Sequence, residues 1–350
     1  MKLRDNVIDL GFRVFDATGL HRVAAPFARG LGAILMFHRV RESAGGDYAP
    51  NRGLEITPSF LDAALTHVRE RGFEIVALDE AVARLSQPPR REPFVALTFD
   101  DGTRDTVQVA LPVLERHRAP FSVFVTTGFA DRRARMWWLE LEEAIGALDR
   151  VRITVGSEAF DLAARTPAEK SDAFGRVYAG LRAVGEAQLL ATCRTLCDQA
   201  GLDPAAIVDE ACLAWSGVRA LANHPLVTIG AHTLTHPRLA KLPAEEAVHE
   251  MRESRDVIAR EIGSEIAHLA YPVGDPSSAG PREFAAARSM GFRSAVTTRP
   301  GMLFPGHAAH LTALPRLSVN GGHQSIAALD ILLSGAPFWL MNKGRRLSVA

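Results

Sequence analysis

The sequence predicts an α/β protein in which parallel strands alternate with helices around a closed or nearly closed barrel. Two observations favour this fold: seven short apolar runs have the length and composition of strands, and helical patterns separate most of them. The predicted strands are residues 33–37, 73–78, 94–99, 121–126, 227–231, 267–271 and 295–298. Strands that alternate with helices pair in parallel, and about seven such repeats are typical of a barrel.

Several helix boundaries are marked by residues with a known capping role. Thr57 precedes Pro58, an N-cap followed by proline at the first helical position. Thr166 and Glu169 have the spacing of a capping box. Gly263 is expected to end the helix that begins after Pro243.

The alternation of strands and helices is interrupted once, over residues 131–225, where the pattern is largely helical. We interpret this stretch as an insertion between two barrel strands. The expected organisation is an amphipathic helical segment over residues 1–30, a barrel over residues 31–325 that contains the insertion, and a C-terminal helix with a basic tail over residues 326–350.

Composition and charge narrow the classes of partner. The 350 residues are 47% hydrophobic and have a formal net charge of zero, so no basic surface for nucleic acid is expected. No run reaches the roughly 18 apolar residues of a membrane span, and the N-terminus lacks the pattern of a secretory signal. We therefore expect a cytoplasmic protein. Because the C-terminal segment mixes apolar and basic residues, weak contact with the inner membrane surface is an alternative to a simple final helix.

Four predicted strands end in residues that a hydrophobic core does not need. Asp100 and Asp101 follow one strand, His232 and His38 follow two others, and the turn 272–274 follows a fourth. In parallel α/β folds the chemistry collects at the carboxyl ends of the strands. These residues are therefore expected to meet at one rim of the barrel.

The two histidines of HTLTH (232–236) suggest a metal site. His232 and His236 are four residues apart, which would put both imidazoles on one side of a helical turn. With one carboxylate, for which Asp101 is available, they form a two-histidine, one-aspartate set that suits Zn²⁺ and also Co²⁺, Ni²⁺ or Fe²⁺. Asp100 would then remain free as a base towards water activated by the cation. Surface histidines and an ordinary acidic turn are the structural alternatives.

Taken together, TFDDG (98–102) and HTLTH (232–236) resemble the first two motifs of the polysaccharide deacetylases, the NodB-homology group of carbohydrate esterase family 4. The resemblance covers about residues 31–320. It implies a distorted (β/α)7-type barrel and metal-dependent removal of acetyl from an N-acetylated saccharide. It also implies that Asp100 is the base and that Asp101, His232 and His236 are the metal ligands.

The later motifs of that family are altered in this sequence. The segment 271–274, YPVG, resembles the Tyr-Pro-x-Gly form of the exopolysaccharide-modifying branch, in which the backbone N–H of Val273 would bind the oxyanion. The arginine that pairs with the catalytic aspartate is missing from this motif, and Arg316 is our candidate to replace it. His38 is our candidate for the acid that protonates the leaving amine.

Three aromatic residues are candidate substrate contacts: Trp137, Trp138 and Tyr271. Aromatic faces stack on sugar rings, although core packing is the alternative for the tryptophan pair. The expected substrate is an N-acetylated saccharide, and a lipid-linked carrier fits the same chemistry. Two other functions remain open: hydrolysis of a non-sugar amide C–N bond at the same site, and non-catalytic saccharide binding.

Overall fold

The structure is a computed structural model that describes residues 2–42, 46–88 and 92–347, with the backbone alone described for residues 2–9. The first residue of the expected N-terminal segment and the last three residues of the expected basic tail lie outside the described residues. Within the described ranges, no helix is long and apolar enough to cross a membrane.

Twelve strands are present in the described residues, and eight of them belong to one parallel sheet. They are β1 (Gly32–Phe37), β2 (Arg39–Val40), β3 (Glu55–Ile56), β4 (Glu74–Val76), β5 (Phe94–Phe99), β6 (Phe121–Val125), β7 (Arg150–Val155), β8 (Glu158–Ala163), β9 (Val227–Ala231), β10 (His268–Ala270), β11 (Ser294–Val296) and β12 (Leu317–Ser318).

The main sheet has the order β11-β10-β9-β6-β5-β1-β12, with β4 added beside β5. Each pairing within it is parallel. No strand pairing in the described residues joins β11 to β12, so the sheet curls into an incomplete barrel. All seven predicted strands are present, some shorter at their ends, and the predicted barrel class is confirmed. The two-residue strand β12 is too short to produce a strand pattern in the sequence.

In the part of the chain that the structure describes, fifteen α-helices surround and extend the sheet. They are α1 (Lys2–Thr18), α2 (Leu20–Ala28), α3 (Pro58–Glu70), α4 (Leu78–Leu85), α5 (Leu111–Arg116), α6 (Thr127–Ala130), α7 (Trp137–Ala147), α8 (Pro167–Ala183), α9 (Glu186–Ala200), α10 (Pro204–Ala211), α11 (Trp215–Ala222), α12 (Ala244–Ile262), α13 (Pro281–Ser289), α14 (Ile326–Leu333) and α15 (Ala336–Met341).

The predicted helix caps are confirmed. The Thr57 side chain accepts a hydrogen bond from the N–H of Phe60 at the start of α3. Thr166 and Glu169 form both hydrogen bonds of a capping box at the start of α8. Gly263 follows the end of α12 with a φ of 69°, a left-handed conformation that glycine adopts without steric cost.

The segment between β6 and β9 has a hydrophobic core of its own. Helices α7, α8 and α9 bury Trp137, Leu141, Phe174 and Leu196 together, and the antiparallel hairpin β7–β8 packs beside them with Phe160. The prediction of a largely helical segment did not include this hairpin, because its strands are mostly exposed and lack a continuous apolar run. We propose that this segment is a subdomain inserted into the barrel.

A buried arginine fastens this subdomain to the barrel. Arg238, which follows the HTLTH loop, donates to the carbonyl oxygens of Arg182 at 2.7 Å and Val184 at 2.8 Å, at the end of α8. Arg182 in turn donates to the Asp275 carboxylate at 2.6 Å, beside the YPVG turn. These bonds hold α8 against the rim at the carboxyl ends of the strands.

Candidate metal and catalytic site

The carboxyl ends of the parallel strands surround a cleft of about 450 Å³. Its lining includes residues that directly follow β1, β5 and β9, together with residues from the inserted subdomain. Of the predicted site residues, the cleft brings together His38, Asp100, Asp101, His232, His236, Val273, Trp137 and Trp138. The remaining two predicted residues, Arg316 and Tyr271, do not line it.

Arg316 lies directly behind the cleft and holds Asp100 in place. Its two terminal nitrogens donate to the two carboxylate oxygens of Asp100, each at 2.7 Å, which is a bidentate pair. The guanidinium also donates to the Thr98 hydroxyl at 3.1 Å and to the Thr297 carbonyl at 2.9 Å. Because Arg316 is fully buried, this network fixes the position of the carboxylate.

The environment of Asp100 favours its ionised form. Burial of the carboxyl alone would raise its pKa, since a charge is costly away from water. The Arg316 guanidinium, with His232 and His38 nearby, outweighs that effect and lowers the pKa of Asp100 below its ordinary value. An ionised carboxylate at this position can accept a proton from a group in the cleft.

Asp101, His232 and His236 form a compact buried cluster. One Asp101 carboxylate oxygen lies 3.5 Å from Nε2 of His232 and 3.4 Å from Nε2 of His236. The three candidate ligand atoms lie within 4.8 Å of one another. The Nδ1 of His232 donates a hydrogen bond to the carbonyl oxygen of Ala270 at 2.7 Å. This bond fixes the ring and leaves Nε2 available as a ligand.

This cluster fits a divalent cation. The Asp101 oxygen that faces both histidines is buried and has no hydrogen-bond partner among the described residues. Burial would raise the pKa of Asp101, but the two imidazoles outweigh it and hold that pKa well below its usual range. An ionised, unsatisfied oxygen beside two imidazole nitrogens is a donor set that zinc binds.

The HTLTH segment is a loop, so the expectation that its histidines share a helical turn is wrong. Thr233 and His236 have φ values of 65° and 63°, outside the helical region. Side chains satisfy the backbone instead: Glu250 accepts the N–H groups of Leu234 and Thr235, and the Thr233 hydroxyl accepts that of His236. The loop still brings both imidazoles to Asp101.

Backbone strain is concentrated around this cleft. Among the described non-glycine residues, seven have positive φ, and four of these belong to the site: Asp101, Thr233, His236 and Val273. Such conformations cost of order 1–3 kcal/mol each and persist where the surrounding structure imposes them. Nothing in the sequence pattern indicated this strain, because aspartate, threonine, histidine and valine give no sign of their own φ.

Val273 lines the cleft, and its backbone N–H is the predicted oxyanion donor. Its φ is 60°, and its carbonyl oxygen accepts a hydrogen bond from the Thr298 hydroxyl at 2.7 Å. No acceptor for the N–H of Val273 is found in the described part of the chain. A fixed peptide group with a free N–H is the arrangement needed to bind a developing oxyanion.

His38 lies at the end of β1, partly exposed to the cleft. Burial lowers the pKa of His38, although Asp100 and Asp101 act in the opposite direction. The next residue, Arg39, donates to the Asp105 carboxylate at 2.8 Å, and Thr103 donates to the same carboxylate at 2.6 Å. These bonds tie the turn that carries His38 to the loop that carries Asp101.

The inserted subdomain supplies an aromatic wall to the cleft. Trp138 lies 4.8 Å from the His236 ring, and Trp137 is stacked on Tyr178 at 5.4 Å. Tyr178 is also stacked on Phe174 at 5.7 Å, and both line the cleft from α8. Phe174 and Tyr178 were not predicted as cleft residues, because they are four residues apart in a helix and resemble ordinary core residues.

Tyr271 is not a substrate contact, so that prediction is wrong. Its side chain is fully buried, and its hydroxyl donates to the Thr312 carbonyl at 2.8 Å. The ring packs against Phe284 of α13, with the ring centroids 5.3 Å apart. The turn after β10 places Val273 at the cleft and leaves Tyr271 in the core.

A family model and several solved structures match this chain. The family model described as polysaccharide deacetylase matches residues 87–295. Among solved structures, the Streptococcus pyogenes deacetylase PplD, in complex with acetate, is 18% identical with a TM-score of 0.55 over 83% of this chain and 92% of that one. IcaB from Ammonifex degensii is 18% identical with a TM-score of 0.54, covering 85% and 96% of the two chains.

A third solved structure, a de-N-acetylase from Aggregatibacter actinomycetemcomitans, is 14% identical with a TM-score of 0.54, covering 85% of this chain and 98% of that one. At such low identity these likenesses show the fold. No curated protein gives a significant match to the sequence.

The fold and the family match define a hydrolase that acts on carbon–nitrogen bonds other than peptide bonds. The chain belongs to the polysaccharide deacetylase family, whose activity is the de-N-acetylation of saccharides.

The buried pair of Arg316 and Asp100 leads to a prediction about stability. Arg316→Met leaves Asp100 as a buried charge without a partner, so the free energy of unfolding should fall by about 3–5 kcal/mol in urea denaturation. Adding Asp100→Asn to Arg316→Met removes that charge and should restore part of the loss.

The matched control is Arg194→Met, which breaks an exposed ion pair with Asp198 and should cost less than about 0.5 kcal/mol. Equal stabilities of the Arg316→Met and Arg194→Met variants would contradict the assigned pairing.

Proposed function

We propose that this protein is a metal-dependent N-deacetylase in which Asp101, His232 and His236 hold one divalent cation and Asp100 is the general base. The observation that carries the proposal is the buried Asp101 oxygen, which faces two imidazole nitrogens and has no hydrogen-bond partner among the described residues. The neighbouring carboxylate of Asp100 is instead paired with Arg316. Two imidazoles and one carboxylate favour Zn²⁺, and Co²⁺, Ni²⁺ or Fe²⁺ suit the same ligands. When bound there, the cation would lower the pKa of water and polarise a carbonyl oxygen.

The chain's own groups divide the remaining work. Asp100 accepts the proton of the attacking water, because Arg316 keeps it ionised and fixed. The N–H of Val273 donates to the oxygen of the acetyl carbonyl as negative charge develops there. Asp100 and Val273 line the same cleft, so both are placed to act on an acetamido group bound there.

His38 is the proposed acid. It lines the same cleft as Asp100, and the loop contacts through Asp105 keep it in position. An imidazole whose pKa is lowered gives up a proton readily once it is charged. His38 would therefore protonate the leaving amine as the amide C–N bond breaks, which releases acetate and the free amino sugar.

The proposed substrate is an N-acetylated saccharide of an exopolysaccharide type, free or linked to a lipid. The YPVG form of the third motif supports this branch of the family. The aromatic wall of Trp137, Trp138, Phe174 and Tyr178 supports a sugar ligand, because the apolar faces of sugar rings pack on aromatic rings. We infer that the wall binds sugar units beside the acetamido group.

Substitutions of the two adjacent aspartates should have different effects. Asp100→Asn should lower the rate of acetate release from N-acetylhexosamine oligomers by about 10²–10⁴-fold. Its zinc content, measured by elemental analysis, should equal that of the wild type. Asp101→Asn should lose both activity and zinc, since it removes a ligand. Loss of zinc from the Asp100→Asn variant, or full zinc content in the Asp101→Asn variant, would contradict the assignment.

His38→Ala should reduce turnover much more than it reduces zinc content, because the proposed acid is not a ligand. The matched control is His249→Ala, on the exposed side of α12, which should leave both quantities unchanged. Initial rates and metal analysis of the two variants test this role. Parallel loss of zinc and turnover in the His38→Ala variant would place His38 among the ligands instead.

Tyr178→Ala should raise the KM for N-acetylhexosamine oligomers several-fold and change kcat little, because it removes a ring face that binds neighbouring sugars. Tyr178→Phe keeps the ring and should behave as the wild type. Steady-state kinetics on an oligomer series separates the two. An unchanged KM in the Tyr178→Ala variant would remove the aromatic wall from the substrate site.

A further inference from the structure

Among the described side chains, the exposed large apolar ones are confined to the N-terminal and C-terminal helices and the segment after the last helix. Across the described side chains, residues 10–42, 46–88 and 92–347, every exposed large hydrophobic residue lies on α1, α2, α15 or the segment just after α15. They are Leu10, Val14, Leu20, Val23, Phe27, Trp339, Leu340, Met341 and Leu347. We call this set the terminal apolar surface.

On the helices these residues form stripes that face outward. Leu10 and Val14 are four residues apart on α1. Leu20, Val23 and Phe27 are spaced three and four residues apart on α2, which places them on one side of the helix. The other side of α2 buries His21 and Ala28 against the protein. Helix α2 therefore has an inner side that packs and an outer apolar side that does not.

The N-terminal and C-terminal parts of this surface are packed together. Helices α2 and α15 are in contact, and Gly335 lies so close to Ala28 that a Cβ at Gly335 would be 2.2 Å from the Ala28 carbonyl oxygen. Asp330 on α14 is bonded to His21 at 3.3 Å and to Arg71 at 2.8 Å. These contacts fix α2 against α14 and α15, so the N-terminal and C-terminal parts of the terminal apolar surface are held together.

The charge around the surface differs from that of the whole chain. The full sequence has 40 basic and 40 acidic residues. Residues 10–30 and 335–347 have a single acidic residue, Asp16. The basic residues of these two ranges are Arg13, Arg22, Arg29, Lys343, Arg345 and Arg346, and Arg22 among them lies 3.7 Å from the Asp330 carboxylate of α14. The apolar stripes thus lie within a locally basic region that is complementary to negative charge.

We propose that the terminal apolar surface docks on an anionic lipid bilayer. Outward Leu, Val, Phe and Trp side chains flanked by Arg and Lys are the composition of helices that lie in a membrane interface. Trp339 has the apolar ring and N–H donor that suit the headgroup region. Two-fold pairing with a second copy fits less well, because the same basic residues would face one another across the contact.

Contact with a bilayer through α2 would leave the catalytic cleft free. Helix α2 leads into the amino end of β1, whereas His38 and the cleft lie at the carboxyl end of that strand. Six residues of extended chain separate these ends by about 20 Å. Bilayer contact through α2 should therefore not block a substrate that enters from solution.

Vesicle sedimentation of the full chain tests the proposal. The wild type should sediment with vesicles of phosphatidylcholine mixed with phosphatidylglycerol, and much less with phosphatidylcholine alone. The double variant Val23→Asp/Phe27→Asp should bind the anionic vesicles roughly tenfold or more weakly, since it replaces apolar contacts with negative charge. Lys343→Glu/Arg345→Glu should weaken binding to a similar extent, and raised salt should weaken the wild type.

The control Lys241→Glu/Arg252→Glu reverses two exposed charges that lie outside the terminal apolar surface, and it should bind as the wild type. Thermal unfolding of each variant checks that the chain is folded. If Val23→Asp/Phe27→Asp is unstable, Lys343→Glu/Arg345→Glu still tests the proposal. Equal binding of the surface variants and the control, or no binding of wild type to anionic vesicles, would overturn the proposal. So would a dimer in lipid-free solution that Val23→Asp/Phe27→Asp dissociates, because it would assign the surface to a second copy.

Discussion

Two adjacent aspartates at the end of β5, both almost fully buried, are the constraint on which the site depends. Neighbouring carboxylates repel each other, and each is costly to bury without a positive partner. Asp100 has that partner in the bidentate guanidinium of Arg316. Asp101 has only two imidazoles, and the oxygen that faces them is unsatisfied. The difference between the two environments is the basis for assigning one carboxylate as base and the other as ligand.

The parallel sheet makes this arrangement attainable. Because every strand of the main sheet runs in the same direction, the residues after β1, β5, β9 and β10 all reach one rim. The loops that follow then depart from ordinary backbone geometry at Asp101, His236 and Val273. The rim brings the groups together, and the strained loops orient them towards a common cleft.

The sequence predicted the parts of the site that have a local pattern. The run before Asp100 has the apolar character of a buried strand, and its abrupt change to two acids and a glycine marks the strand end. The conformation of HTLTH could not be predicted in this way, because a spacing of four suits both a helical turn and a loop. The hydrogen bonds from Leu234 and Thr235 to Glu250 decide between them, and Glu250 is some 15 residues further along the chain.

Other features depend on contacts between distant segments. Arg316 and Asp100 are separated by 216 positions, so only their motif context suggested that they would pair. Tyr178 and Phe174 reach the cleft because Arg238 and Arg182 fix α8 against the rim. The local sequence around α8 gives no indication of these contacts. Tyr271 was predicted as a substrate contact because of its motif. The residue of that motif that lines the cleft is Val273, and the Tyr271 side chain is buried.

The most direct test of the central claim is anomalous diffraction from crystals grown with Zn²⁺. We expect a single strong peak about 2.0–2.2 Å from an Asp101 oxygen and from Nε2 of both His232 and His236, with Asp100 still paired to Arg316. A peak coordinated by Asp100, or no peak among these three residues, would contradict it.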